Sequence, residues 1–302
     1  METRELTYFA KIVELGSIKK AAESIGVSQP ALTKCIRLLE QKLNVKLLVR
    51  GPAGVVATPH GESLYARAKA VVAEIARARA ELDELSGNVG AHITVGTLPS
   101  QASDLLPQAA VNFTRARPGS RLFVVEKSFE ELLTGLQRGE FDFIVSSAGR
   151  FKDDPSLVHK PLFRDKPKII ARRDHPLTKQ RQVRNKDLVS CSWVLPPPGT
   201  THRKIVEDMF EAQGVPLPQS VIECHSNSFL KSVVMQSDYL GILPSNVATH
   251  EEKTGAIAAL SVVREMPSRA ITVSYRANFP LSDGAQALIR ELRRLSRQST
   301  EK

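Results

Sequence analysis

Apolar positions recur at spacings of three and four through the first part of the chain, then give way to short apolar runs alternating with amphipathic stretches. Over 2–15, Leu6, Phe9, Ala10 and Val13 share one helical face, and further helices are predicted over about 17–25 and 28–43. In the third helix Leu32, Ile36, Leu39 and Leu43 form the apolar stripe. Its other face carries Gln29, Thr33, Lys34 and Arg37, with Glu40 as the one acid towards the far end. Ser17 and Ser28 suit helix N-caps, Pro30 suits a first helical turn, and Gly26 stands where one helix must stop and the chain must turn. Two β-prone runs flank Gly51-Pro52-Ala53-Gly54, a hairpin signal. Thr58 and Pro59 open a long helix in which Leu64, Ala68, Val71, Ile75, Ala78, Leu82 and Leu85 make an a/d seam between charged flanks. A helix this polar is marginal alone, so the seam predicts a partner helix, and pairing between subunits is favoured over packing on the same chain.

Ser86-Gly87-Asn88-Val89-Gly90 reads as a hinge. Beyond it, strands are predicted at 93–96, 121–126, 141–146, 167–172, 193–195, 220–224, 240–243 and 271–276. Helices fall at 105–115, 129–138, 201–213, 228–236 and 283–297. This β-α order implies parallel sheets covered by helices, divided into two lobes with strands crossing between them. The predicted domains are therefore 1–58, a winged helical unit; 59–88, the long helix and hinge; and 89–302, an α/β unit. Its lobe I covers about 91–163 and 268–302, and its lobe II about 164–267.

In open α/β sheets ligands bind beyond the carboxyl ends of strands, where loops enter helix N-termini. Thr97, Ser100, Gln101 and Ser146 occupy such places in the first lobe, and Thr200, Thr201, Ser226, Asn227 and Ser228 in the second. Converging helix N-termini favour a small anion.

Charge sharpens the picture. A net charge of +10 over 302 residues favours a polyanionic partner. Part of the excess lies at 164–186 and in Arg290, Arg293, Arg294 and Arg297, positions compatible with DNA, RNA polymerase or an anionic ligand, and more simply with solvated surface. Three widely spaced cysteines, Cys35, Cys191 and Cys224, argue against a disulfide framework or a zinc site and for a reducing cytoplasm. Neither a secretory leader nor a membrane-spanning run is visible. Nucleophile-elbow, zinc-protease, P-loop and dinucleotide motifs are lacking, so the chain reads as a non-enzyme with no cofactor, no metal and no catalytic residue.

Residues 17–43 have the form of a helix-turn-helix, whose second helix can present amide, hydroxyl and cationic groups to a major groove. Gly16-Ser17, Ala21-Ala22, Ser28-Gln29-Pro30-Ala31, Leu38-Leu39-Glu40, Leu47-Leu48-Val49-Arg50 and Thr58-x-x-Gly61 together resemble the N-terminal signature of LysR-type transcriptional regulators. The resemblance implies a winged helix-turn-helix with Ser28, Gln29, Pro30, Thr33, Lys34, Arg37 and Arg50 on double-stranded DNA. It also implies a homodimer or homotetramer on an inverted-repeat promoter site. The remainder would be a two-lobed, periplasmic-binding-protein-like domain for a small-molecule effector, with Ser100, Thr200 and Ser226–Ser228 carried over as ligand positions. Pro196-Pro197-Pro198-Gly199-Thr200, Pro161–Asp165 and Asp174–Leu177 resemble members controlling aromatic-acid degradation or sugar uptake. Two rival readings are a redox-responsive regulator using Cys191 and Cys224, and a ligand-binding protein without a DNA function.

Overall fold

The computed structural model describes residues 1–51, 54–86, 90–100, 105–147, 154–212, 214–218, 221–263 and 266–300. Helices α1 (Thr3–Leu15), α2 (Ile18–Ile25) and α3 (Gln29–Leu43) enclose Leu6, Phe9, Ile12, Ala21, Leu32, Ile36 and Leu39. Ser17 Oγ accepts from Lys20 N, and Ser28 Oγ from Ala31 N, each at 3.3 Å. Gly26 closes α2 at φ 75°, a left-handed conformation that a side chain would strain. Strands β1 (Leu48–Gly51) and β2 (Gly54–Ala57) pair antiparallel as the wing. Val55 N donates to Gly16 O at 2.9 Å, which fastens the wing to the turn between α1 and α2.

Two expectations for α3 are corrected. Leu43 is 38% exposed rather than part of the buried stripe. Glu40, expected on the wet face, is buried. Its carboxylate accepts from Lys46 Nζ at 2.7 Å, Leu47 N at 2.9 Å and Leu48 N at 3.3 Å. Burial alone would raise this carboxyl, but the lysine and the two amides outweigh it and hold it below the usual range. Position 40 follows Leu32 and Ile36 at steps of four, so it does face inward, where a carboxylate serves the chain's re-entry into the wing.

The long helix α4 (Pro59–Leu85) leaves the wing with one residue between them. That residue, Thr58, donates its hydroxyl to Lys46 O at 2.6 Å and accepts from Gly61 N at 3.0 Å. Gly61 passes so close to Leu47 that a Cβ would be driven into the Leu47 carbonyl oxygen. The seam is also corrected. Ala68 is fully buried and Leu64 is packed, both within the winged unit's own core, so this end of the seam is occupied by its own chain. Val71 and Leu82 are 43% and 64% exposed, Ala78 is exposed and Ile75 half-buried. The side chain of Leu85 lies outside the described residues.

Further along α4, Arg77 binds the α/β unit. It donates to Gly139 O, to Phe141 O at 3.0 Å and to the Asp142 carboxylate at 2.9 Å. Arg276, over the Phe279 ring at 3.8 Å, reaches Glu74 at 2.9 Å. Lys69 bridges Glu140 at 2.9 Å and Glu14 at 3.7 Å.

The α/β unit holds two five-stranded sheets. The first contains β3 (His92–Thr97), β4 (Arg121–Glu126), β5 (Phe143–Ser147), β6 (Leu157–Asp165) and β12 (Arg269–Arg276), in the order β4-β3-β5-β12-β6. Helices α5 (Leu105–Ala116), α6 (Phe129–Gln137) and α11 (Asp283–Thr300) cover it. The second contains β7 (Lys168–Arg172), β8 (Trp193–Leu195), β9 (Val221–Glu223), β10 (Leu240–Leu243) and β11 (Ile257–Ala259), in the order β11-β7-β10-β8-β9. With it go α7 (Asn185–Val189), α8 (Thr201–Glu211), α9 (Asn227–Gln236) and α10 (Ser245–Thr254). Four of these elements, β6, α7, α10 and β11, are not apparent in the sequence pattern. Strand β6 is masked by Pro161, which an edge strand tolerates, and by a bulge where its register against Ile271 and Thr272 shifts. Among the described residues no helix is long and apolar enough to cross a membrane.

The Gly61 contact is backbone against backbone and cannot relax by a rotamer change. Gly61→Ala should lower stability by roughly 1–3 kcal/mol, read as the urea midpoint of unfolding. An unchanged midpoint would show that α4 is free to shift away from the wing.

Candidate nucleic-acid interface and inter-lobe cleft

On the outer face of α3, Ser28, Gln29, Pro30, Lys34 and Arg37 are exposed and Thr33 is half-buried. The Ser28 hydroxyl is committed to Ala31 N, so it caps the helix, while the neighbouring side chains remain presented outward. The opposite side of α3 is held by Glu5 of α1, whose buried carboxylate takes Lys42 Nζ at 2.6 Å. Glu40 holds the root of the wing. Helix and wing are thereby fixed to each other as a single reading head. Arg50 pairs with Val55 in the wing ladder; its side chain, and the turn at Pro52 and Ala53, lie outside the described residues.

Parallel pairing of β3 with β5 and of β8 with β9 and β10 puts the carboxyl ends of these strands on one rim of each lobe. Antiparallel β7 and β12 begin at those same rims, and β6 ends there. Thr97, Ser100 and Ser146 stand on the first rim, and the starts of α8, α9 and α10 on the second. Gln101 lies outside the described residues. Ser226 Oγ accepts from Phe229 N at 3.2 Å and caps α9, with Asn227 and Ser228 in its first turn. Two expectations fail in detail. The fully buried Thr97 hydroxyl donates to two backbone carbonyls, Leu98 O at 3.2 Å and Val145 O at 3.4 Å, so it secures the strand end rather than facing a ligand. Thr200 does not cap α8; its hydroxyl donates to Pro197 O at 2.9 Å, and Thr201 beside it is exposed.

The rims meet at a cluster that the sequence pattern does not reveal. Asp165, at the end of β6, lies opposite Arg269, at the start of β12. Arg269 Nε donates to Asp165 Oδ2 at 2.9 Å, and Ser245 N and Oγ donate to Oδ1 at 2.9 and 3.0 Å. Pro244, at the N-cap of α10, makes no side-chain cap bond, so a carboxylate from the other lobe satisfies that helix end. His202 of α8 stands with Nε2 3.9 Å from Asp165 Oδ2, beyond hydrogen-bond distance. Burial alone would raise the Asp165 carboxyl; His202, Arg269 and the Ser245 amide outweigh it and hold the group far below its usual range. Burial, reinforced by the Arg269 cation, depresses His202 to about 4 despite the carboxylate nearby. No local spacing announces this group, because its members are brought together only by the crossing of the chain between lobes.

Around the rims, Ser146 Oγ, His202 Nε2, Asn227 Nδ2 and Arg269 Nη2 are buried without hydrogen-bond partners. Such groups are uncommon in folded proteins; Ser120 Oγ and Asn185 Oδ1, away from the rims, are in the same condition. By contrast, the groove between α1, α4 and the first lobe, lined by Thr7, Lys11, Glu14, Lys69, Arg77 and Glu140, has its charges joined to one another by the bridges of Lys69 and Arg77 described above and by Lys11 to Glu14 at 3.2 Å. It is an interface within the chain.

The cysteines do not support redox pairing. Cys191 packs with Trp193 and Leu195 on one face of the second sheet, while Cys224 packs with Val194 and Leu243 on the other. Burial raises both thiols, opposite to the lowered pKa that a reactive thiolate needs.

Residues 3–62 match the family of bacterial regulatory helix-turn-helix proteins of the lysR type, and residues 86–297 match the LysR substrate binding domain. The chain belongs to the LysR family of transcriptional regulators. It is thus a DNA-binding regulator carrying a domain for an effector, and not an enzyme. It is 27% identical over 294 residues to the HTH-type transcriptional regulator GalR of Pseudomonas putida, covering 97% of this chain and 74% of that one. A full-length, singly substituted OxyR from Pseudomonas aeruginosa superimposes with a TM-score of 0.74 at 25% identity, covering 97% of this chain and 95% of that one. Full-length CbnR, solved in complex with its target DNA, shares the fold at a TM-score of 0.72 and 21% identity, covering 97% and 99%.

The buried imidazole sets an acid sensitivity for this member of the family. His202 moves from about 6.5 unfolded to about 4 folded, so the unfolded chain binds the extra proton between those values. Stability is therefore lost as pH falls through that window, by roughly 3 kcal/mol at most from this group. Urea midpoints of wild type and His202→Gln, compared from pH 7 to 4.5, should converge on acidification. Parallel curves would mean that the imidazole ring is protonated readily in the folded state.

Proposed function

We propose that this LysR-family regulator acts in the cytoplasm as a homodimer or homotetramer on an inverted-repeat promoter site, and that a small anionic effector in the inter-lobe cleft modulates transcription. The division proposed is a DNA-reading unit over 1–58, a linker and dimerisation helix with its hinge over 59–88, and an effector domain over 89–302. Ser28, Gln29, Pro30, Thr33, Lys34, Arg37 and Arg50 face DNA. Gln29 reads a base edge, Pro30 packs on a thymine methyl, and Ser28, Thr33, Lys34 and Arg50 hold phosphates or neighbouring bases. Support comes from the outward-facing amide, hydroxyl and cationic side chains of α3, fixed to the wing through Glu40. Subunits pair along the far part of the α4 seam, Val71, Ile75, Ala78, Leu82 and Leu85, where Val71, Ala78 and Leu82 are exposed. Two reading heads related by a twofold axis then require an inverted repeat.

The effector reading rests on one observation above all: four buried polar atoms lacking partners, Ser146 Oγ, His202 Nε2, Asn227 Nδ2 and Arg269 Nη2, stand at the two facing rims. All four residues, Ser146, His202, Asn227 and Arg269, can offer donors, which suits an anion. Ser100, Thr200, Thr201, Ser226 and Ser228 line the approach.

Gln29→Ala should lose roughly 1–3 kcal/mol on the specific operator and little on random DNA, whereas Lys34→Ala should weaken both and flatten the salt dependence. Competition binding at two salt concentrations measures this; equal losses on both DNAs for Gln29→Ala would remove that residue from base reading. Thr200→Trp should fill the mouth of the cleft, leaving operator binding intact and abolishing effector-dependent transcription in a reporter strain. A response with an unchanged half-maximal effector concentration would place the effector elsewhere.

A further inference from the structure

The effector domain has a defined charged end. Arg269 and Asp165 face each other across neighbouring strands where the chain passes between lobes, and the Arg269 side chain is only 10% exposed. Its Nε edge is occupied by Asp165 Oδ2, but Nη2 has no partner. His202 Nε2 approaches the same Asp165 oxygen at 3.9 Å without bonding to it. Two buried nitrogens without partners, Arg269 Nη2 and His202 Nε2, one from each lobe, therefore lie beside the Asp165 carboxylate. They do so at the first turn of α8, whose N-cap residue supplies no capping bond. A guanidinium can hold one carboxylate on its Nε edge and a second on its other edge, and both N–H groups here lack the acceptor that such a position demands.

We propose that Arg269 Nη2 and His202 Nε2 form the carboxylate-binding subsite of the effector cleft, and that the ligand is a small carboxylate bearing a further hydroxyl or oxo oxygen. This rests on the cleft reading above and adds its polarity. The carboxylate docks where the chain crosses between lobes, between β12 of the first lobe and α8 of the second. Asn227 Nδ2 and Ser146 Oγ, the remaining unpartnered polar groups of the rims, take the second polar oxygen. Arg269 Nη2 and His202 Nε2 are both sealed from solvent, so a ligand reaches them only as α8 shifts relative to β12. Occupancy then sets the angle between the lobes, because one anion bonds to both.

Asp165 makes the subsite testable in both directions. It neutralises Arg269 in the free protein, so Asp165→Asn should increase carboxylate affinity while the amide oxygen still accepts from Ser245. Removing either partner alone leaves a buried charge unpaired, so Asp165→Asn is compared as the folded protein, and the loss variant is the neutral pair Asp165→Asn with Arg269→Gln. The probes are glycolate, gluconate and salicylate, each compared with its uncharged amide by calorimetry and thermal shift on the full-length protein.

At least one of the three should bind wild type on the order of tenfold more tightly than its amide. That preference should grow several-fold in Asp165→Asn and fall to within about twofold in the double variant and in His202→Phe. If no carboxylate is preferred over its amide in the wild-type protein, the proposal is overturned. It is equally overturned if the preference persists in the folded double variant. If Thr200→Trp abolishes carboxylate binding while the double variant leaves the preference intact, the cleft stands and the Arg269–His202 subsite falls. If neither alters binding, the cleft reading itself fails.

Discussion

A single buried carboxylate, Asp165, registers the two lobes against each other. The chain crosses between sheets at the end of β6 and returns at the start of β12, and neither crossing is rigid in itself. Asp165 joins them by accepting from Arg269 on one oxygen and from the N-terminus of α10 on the other. Satisfied on these sides, it tolerates a burial that would otherwise drive its proton back on. Any reorientation of the lobes that separated Asp165 from Arg269 or Ser245 would have to replace these bonds.

A comparable economy governs the reading head. Glu40 would be out of place in the core of α3 were it not for Leu47 N, Leu48 N and Lys46, whose donors it gathers at the root of the wing. Thr58 and Gly61 do the same for the start of α4, one by hydrogen bonds and the other by having no side chain. The exposed groups of α3 thus project from a unit whose internal angles are fixed by polar contacts as well as by its apolar core.

What can be read from the sequence follows how local each feature is. The helices of the reading head announce themselves through caps and a periodic apolar stripe, which need only neighbouring residues. Glu40 is misleading because its partners lie after the helix has ended, so residue type speaks for solvent while spacing speaks for the core. The α4 seam looks like one continuous surface, yet Ala68 and Val71 stand in different surroundings; a heptad pattern records that an edge is apolar, not what covers it. Strand β6 carries a proline and a bulge that break its alternation. Asp165, His202 and Arg269 are far apart in the chain and none belongs to a motif. Only the return of β12 beside β6 brings them together.

The attachment of α4 has a mechanical consequence. Its first half is one body with the reading head, through Ala68, Tyr65 and Val72, and Arg77 pins it to the Gly139–Asp142 turn of the first lobe. At about 1.5 Å per residue, the stretch from Pro59 to Arg77 is a lever about 27 Å long. Tilting it by about 7° about that pin carries the far end about 3.4 Å, the rise of one base step along a DNA strand. Such a lever converts a small rotation at the pin into a displacement of one base step at the reading head.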